Sequence, residues 1–386
     1  MLARNAEVNA VAKLLQTSPV VAILGARQVG KSTLARMVAR KLPGSRTFFD
    51  LERADDRARL DDPMLALGDC RGLVILDEVQ QRPSLFETLR VLADRPRRPA
   101  RFLVLGSAGR DLLRQSSETL AGRIHYHRLR GLALDEVGPQ ACNRLWLRGG
   151  FPRSYLARSA SESDAWRRSF VESFLERDLP QLGIGTPAAT MRRFWTMLAH
   201  YHGQTWNASE LARAFGVAHT TVRNYLDALT GALVVRQLLP WHENLSKRQV
   251  KAPKVYIEDS GLLHTLLGIS TQTDLERHPK VGASWEGFAI GQVIRRLGAR
   301  EEECYFWATH AGAELDLLVV RGRRRLGFEV KRTTAPQVTS SMRAALDDLK
   351  LDRLDIIYAG EHSFPMAERV RAVPLARVLS DVDPLR

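Results

Sequence analysis

The chain is poor in cysteine, poor in lysine and free of long apolar runs. Its three cysteines, Cys70, Cys142 and Cys304, are far apart and form no C-x-x-C pair. That argues against a disulfide framework or a cysteine-rich zinc site, and it makes a reducing, cytoplasmic setting the expectation. No stretch approaches the roughly eighteen consecutive apolar residues that span a bilayer, so no membrane partner is expected. Asn5, Glu7 and Asn9 interrupt the N-terminal segment. It reads as an amphipathic helix with Val8, Val11, Leu14 and Leu15 on one face, not as a signal peptide. Acidic residues are outnumbered 43 to 57, a net charge of +14, and arginine exceeds lysine 48 to 9. Most of the surplus lies in residues 1–150. A polyanion such as nucleic acid is therefore an expected partner, with no contact located by charge alone. Apolar residues at 45% and charged residues at 26% describe an ordinary globular chain, and 386 residues suggest two to three domains.

What is present begins with the β-branched run Val20–Leu24, read as a buried strand. It leads into Gly25-Ala26-Arg27-Gln28-Val29-Gly30-Lys31-Ser32, which is GxxxxGKS, and Thr33 opens a helical stretch to Lys41. Strand, glycine loop and helix are the context of a P-loop. Its glycines let backbone N–H groups curl around phosphate oxygens, and the helix N-terminus adds partial positive charge. Lys31 is expected on the β- and γ-phosphates and Ser32 on Mg²⁺.

A second strand, Leu73 to Leu76, ends in Asp77 and Glu78. Ligands of open α/β sheets bind at that edge. Asp77 is the expected second metal residue and Glu78 the general base for the attacking water. A third strand, Arg101 to Leu105, runs into Gly106-Ser107, where Ser107 is placed to hold the water or sense the γ-phosphate. Strands near Thr47–Phe49 and Ile124–Arg128 bring the number to five. Helices at about 31–41, 52–60, 84–94 and 108–120 alternate with them, which implies a parallel sheet with helices on both faces.

This segment resembles an AAA-type P-loop ATPase module. Asp77-Glu78-Val79-Gln80 and Leu105-Gly106-Ser107 are similar to one prokaryotic branch, in which the ATPase is fused to a C-terminal domain of unknown function that looks nuclease-like. The resemblance implies ATP and Mg²⁺ as cofactors. It also places Arg123, just before the fifth strand, at the position of an arginine that reaches a neighbouring subunit's γ-phosphate, which would imply a homo-oligomer. A surface arginine at a helix end is the other reading. His125 and His127 share a strand face without a third ligand and are read as structural.

Residues 161–202 have helical composition with aromatics at core spacing, broken between Pro180 and Pro187. Ser209 is read as the N-cap of a short helix, Gly216 as the turn glycine and His219 to Thr230 as a second helix, a helix-turn-helix pattern. Leu233–Trp241 and Lys254–Ile257 would be wing strands joined by a link containing Lys247, Arg248 and Lys251. A reading helix would present His219, Thr220, Arg223 and Asn224 to DNA. Packing between domains, or binding to protein, is the alternative.

In the last hundred residues, Glu286 lies on an apolar helix, Asp316 on a strand, and Glu329-Val330-Lys331 at the end of the next strand. Period two puts Glu329 and Lys331 on one face. The set looks like the PD-(D/E)xK fold of restriction-type nucleases. That resemblance implies carboxylates holding Mg²⁺ and a lysine steadying the water or the developing charge. Glu314-Leu315 stands where many members carry a proline.

The expected architecture is α/β and multidomain. A P-loop parallel sheet with flanking helices spans 1–140. A helical middle, 141–280, carries a winged helix at about 205–258, and a restriction-endonuclease-like α/β domain spans 281–386. The expected function is Mg²⁺-dependent ATP hydrolysis acting on nucleic acid, DNA favoured, with a nuclease domain that cleaves or only binds. A slow ATP-dependent regulatory switch is the rival reading, and Glu78 argues against it because a switch needs no general base.

Overall fold

Aliphatic runs too short for helices become the three central strands of the first sheet, and the more polar segments RTFFD and IHYHR become its two edges. In the computed structural model these are β1 (Val20–Leu24), β2 (Arg46–Asp50), β3 (Gly72–Asp77), β4 (Ala100–Gly106) and β5 (Ile124–Arg128). The structure describes residues 2–96, 99–106, 116–181, 184–242 and 250–385. The strand order is β2-β3-β4-β1-β5, and every pairing is parallel. All five residues of β1 are buried, as expected of a strand covered on both faces. Helices Lys31–Lys41 and Leu85–Ala93 supply cover, the second through Leu85, Phe86, Leu89 and Leu92. The expected helix at 108–120 falls largely on 107–115, outside the described residues.

The N-terminal helix, Asn5–Thr17, buries Val8, Val11, Ala12 and Leu15. His125 and His127 hold polar partners there: Ser18 Oγ lies 2.5 Å from His125 Nδ1, and Glu7 Oε2 lies 2.6 Å from His127 Nε2. The first compact unit comprises 1–131 with 178–184 and 231–233, and the second comprises the remainder.

The second unit is built on a longer sheet. Its strands are β6 (Gln204–Thr205), β7 (Val235–Pro240), β8 (Lys254–Ile257), β9 (Cys304–Ala308), β10 (Glu314–Arg321), β11 (Arg324–Lys331), β12 (Arg353–Tyr358), β13 (Phe364–Ala367) and β14 (Val370–Pro374). They run in the order β13-β14-β12-β11-β10-β9-β7-β8-β6. Strands β9, β10 and β11 form an antiparallel meander, whereas β12 lies parallel to β11 after a crossover through helix Ser340–Asp348. The expected wing strands β7 and β8 do pair antiparallel, and β7 also pairs parallel with β9 (Leu239 with Tyr305). One sheet therefore runs across the boundary expected near residue 280. Lys247 and Arg248 of the wing link lie outside the described residues.

The helix-turn-helix pair is Ala208–Phe215 and His219–Gly231, with Gly216 between them in the left-handed region at φ 65°. The first helix starts earlier than expected. Its cap is Asn207, whose side chain accepts from the Glu210 N–H at 3.2 Å, so Ser209 lies inside the helix and is not the cap. Asn is as good a cap as Ser, and the earlier residue takes the role.

Aromatic spacing in the middle segment becomes a continuous ladder. Phe151, Phe170, Phe174 and Trp195 follow one another at centroid separations of 4.8, 5.9 and 5.1 Å, with Trp166 beside Phe170 at 5.4 Å. Phe170 is at its centre and buried. Replacing Phe170 by Ala should cost about 3–5 kcal/mol of stability, read as a lowered urea midpoint; a midpoint unchanged from wild type would mean the ladder is not part of the cooperative core.

Candidate functional site

The parallel register brings the C-terminal tips of the first sheet to one edge. Leu24 pairs with Gly106 and Arg128, and Asp50 pairs with Asp77. The loop after β1 starts at Gly25, which is buried and packed so tightly that a Cβ there would stand 2.6 Å from the Leu129 carbonyl oxygen. Close approach is thus the reason for this glycine, whereas Gly30 is needed for its φ of 103° at the helix start. Val29 and Ala26 are buried beneath the loop. Arg4, itself buried, donates to the Val29 carbonyl at 3.3 Å and the Arg130 carbonyl at 2.9 Å, tying the loop to the chain after β5. Arg27 pairs with Asp178 and Glu52, and Gln28 is exposed at φ 60°.

Lys31 is 6% exposed and donates from Nζ to the carbonyls of Gly25 at 3.0 Å and Ala26 at 3.2 Å. Burial lowers its pKa, opposed by the charges of Glu78 and Asp77. Ser32 and Thr33 follow on the first turn of the helix. Asp77 ends β3. Burial raises its pKa against hydrogen bonds from the Ser32 side chain and the Glu78 N–H, the latter at 3.0 Å. Glu78 turns the chain in the left-handed region at φ 55°, and the Gln80 amide donates to its carboxylate. Lys31, Ser32, Asp77 and Glu78 therefore form one connected group. Hydroxyl and carboxylate oxygens are the donors that Mg²⁺ prefers, so this pair fits that ion. Ser107 lies outside the described residues.

Arg123 is not at this edge. It precedes β5, whose first residue pairs with Val20, at the opposite end of the strands from the loop. Its guanidinium forms a two-pronged pair with Asp94, Nε to Oδ1 at 2.7 Å and Nη2 to Oδ2 at 2.9 Å, and it cannot reach the loop of its own chain from there.

The second unit gathers Glu286, Asp316, Glu329 and Lys331 as the sequence grouped them, but with an uninvited member. Lys254 of β8 places Nζ 3.4 Å from Asp316 Oδ1, 3.6 Å from Glu286 Oε1 and 3.9 Å from Glu314 Oε2. Tyr256, two residues along the same strand face, donates to Glu286 Oε1 at 2.7 Å. Helix Val281–Leu297 approaches this face closely at Gly287, where a Cβ would stand 2.3 Å from the His202 ring. Asp316 lies where the β9–β10 register slips, a bulge that buries Leu315, Asp316 and Leu317 in succession. Its Oδ2 accepts from the Val330 N–H at 2.9 Å. Lys331 pairs with Glu329 Oε1 at 2.8 Å, while Glu329 Oε2 is buried without a partner.

Burial, then the Asp316 charge, pushes the Glu286 carboxyl up to about 7 and the Glu329 carboxyl up to about 8. Burial opposes the charge of Lys254, but Glu286, Asp316 and Glu314 outweigh it and hold its pKa above the ordinary value. Among the described residues no three His, Cys, Asp or Glu side chains are grouped so as to hold a metal ion. Lys254 Nζ stands between Glu286 and Asp316, carboxylates that a restriction-type nuclease would give to its divalent ion.

Sequence reading missed Lys254, Arg4 and Asp178. For Lys254 a signal was there: one of nine lysines, at period two from Tyr256. The arginine run after β10 is only partly free. Arg321 pairs with Glu303 at 2.7 Å and Arg325 donates to the Leu349 carbonyl at 2.8 Å, leaving Arg323 and Arg324 as the exposed members. On helix His219–Gly231, His219, Thr220, Arg223 and Asn224 are all exposed, and Val222, Leu226 and Leu229 face the core.

A family model described as an AAA domain matches residues 17–138, and two domains of unknown function, DUF8612 and DUF4143, match residues 139–273 and 281–378. Uncharacterized protein Rv2008c of Mycobacterium tuberculosis and uncharacterized protein Mb2031c of Mycobacterium bovis are each 54% identical over 368 residues, covering 95% of this chain and 82% of theirs. Among solved structures, the Walker-type ATPase PABY2304 of Pyrococcus abyssi is 13% identical, covering 69% of this chain and 96% of its own, with a TM-score of 0.49.

The packing at Gly25 yields a test. Gly25→Ala should weaken binding of a fluorescent ATP analogue by at least ~tenfold, about 1.4 kcal/mol, with the circular dichroism spectrum unchanged. Wild-type affinity in that variant would show that the loop does not need its contact with Leu129.

Proposed function

The chain belongs to the family of these two mycobacterial proteins and carries an AAA domain, and from that premise we propose that it hydrolyses ATP with Mg²⁺ to act on nucleic acid through its second unit. ATP binding and hydrolysis are what an AAA domain does. The observation that carries the reading is the connected group Lys31, Ser32, Asp77 and Glu78 at one edge of a parallel sheet.

Ser32 and Asp77 would hold Mg²⁺, which when bound neutralises phosphate charge and orients the β- and γ-phosphoryl groups. Backbone N–H groups from Gly25 to Thr33 would surround the phosphates, with Ala26, Arg27, Gln28, Val29 and Gly30 forming the loop. Lys31 would exchange its two carbonyl partners for phosphate oxygens, which are stronger acceptors because they are charged. Glu78, steadied by Gln80, would take the proton of the attacking water. Ser107 would orient that water, and Arg123 would serve a neighbouring chain in a homo-oligomer after exchanging Asp94 for phosphate.

Nucleic acid is favoured by the net charge of +14 and by the exposed side chains His219, Thr220, Arg223 and Asn224 on one helix. For the C-terminal segment, the succession of helix Val281–Leu297, three antiparallel strands, crossover helix and parallel β12 supports a PD-(D/E)xK-like core. Lys254 among its carboxylates favours a domain that binds without cleaving.

Lys31→Ala should abolish ATP turnover. Glu78→Gln should keep ATP binding and lose about 10²- to 10⁴-fold in kcat, separable by equilibrium binding and steady-state phosphate release. Turnover measured against duplex DNA, single-stranded DNA and RNA should rise with at least one of them. Equal rates with all three and with none would refute the nucleic-acid half of the proposal.

A further inference from the structure

Lys254 is 4% exposed, and its ammonium stands at ion-pair distance from three carboxylates on two elements: Glu286 on a helix, and Glu314 and Asp316 on β10. The Phe306 ring lies 5.7 Å away on β9. Removing a cation from water costs several kcal/mol unless anions replace its hydration, so a lysine held there is not a passing surface group. Its backbone is fixed on both sides, paired with Thr205 of β6 and Leu238 of β7. The side chain therefore cannot leave by a simple strand displacement.

The acceptors around it are also committed. Asp316 Oδ2 takes the Val330 N–H, Glu286 Oε1 takes the Tyr256 hydroxyl, and Glu329 Oε1 takes Lys331. Among these carboxylates, Glu329 Oε2 is buried and unpartnered, at 3% exposure for the residue. In a chain with 48 arginines and 9 lysines, lysine here is a chemical choice. An ammonium is a compact point charge, whereas a planar guanidinium spreads over five donors.

We propose that the Lys254 ammonium is a built-in cation that takes the place of a divalent metal between Glu286 and Asp316, so that the pocket as folded is closed to Mg²⁺ and does not cleave phosphodiesters. The cluster then serves to anchor β8 to helix Val281–Leu297 and β10. This inference concerns the second unit alone and does not depend on the ATPase reading.

The test uses full-length protein without nucleotide, titrated with Mn²⁺ and followed by the electron paramagnetic resonance signal of free ion. Wild type and Asp316→Asn should give the same titration. Lys254→Met should gain one site, at least ~tenfold tighter than any in wild type, and the Lys254→Met/Asp316→Asn double variant should lose it. A wild-type site that Asp316→Asn removes, or a folded Lys254→Met that binds no more Mn²⁺ than wild type, overturns the proposal. Plasmid nicking by the wild type with Mn²⁺ keeps the question decidable if the variants do not fold. No nicking above a buffer blank is expected, and cleavage that tracks the purified protein and persists in Lys31→Ala overturns it.

Discussion

A lysine ammonium withdrawn from water must be met by oxygen, and that requirement shapes both units. In the first, Lys31 is met by the carbonyls of Gly25 and Ala26, neutral partners that a charged phosphate can replace. In the second, Lys254 is met by carboxylates. Neutral carbonyls are weaker partners for an ammonium than carboxylates in direct contact with it.

Sheet topology delivers these partners. In the first unit every strand is parallel, so each ends at the same edge, and β4 lies between β1 and β3. The phosphate loop and the acid pair, about fifty residues apart in the chain, thereby stand two strand spacings apart, roughly 10 Å. In the second unit the mixed sheet does something else. The parallel pairing of β7 with β9 continues the meander into β8, and the cation comes from that added strand.

The arrangement also gives separate reasons for residues that look alike in sequence. Gly25 is small because Leu129 is close, Gly30 because the backbone turns left-handed, and Gly287 because a helix lies against the His202 ring. Arg27, Arg123 and Arg321 all belong to a basic surplus, yet each is held by carboxylate, from Asp178, Asp94 and Glu303 respectively. Net charge therefore overstates what is free to meet a polyanion.

Local chemistry made much of this legible beforehand. GxxxxGKS after Val20–Leu24, the acid pair after Leu73–Leu76 and the period-two face of Glu329 and Lys331 depend on neighbours in the chain, so their strands and loop could be read from order alone. The helix cap at Asn207 could not be separated from Ser209, because both residues cap well. The bulge that buries Asp316, the continuation of the sheet through β7 into β8, and the arrival of Lys254 among the carboxylates are decided by packing between separate strands and helices. Sequence by itself determined the glycine loop, the acid pair and the spacing of Glu329 and Lys331; only the tertiary structure decided which charges neutralise one another, because a charge interacts through space with whatever the fold brings within a few ångströms.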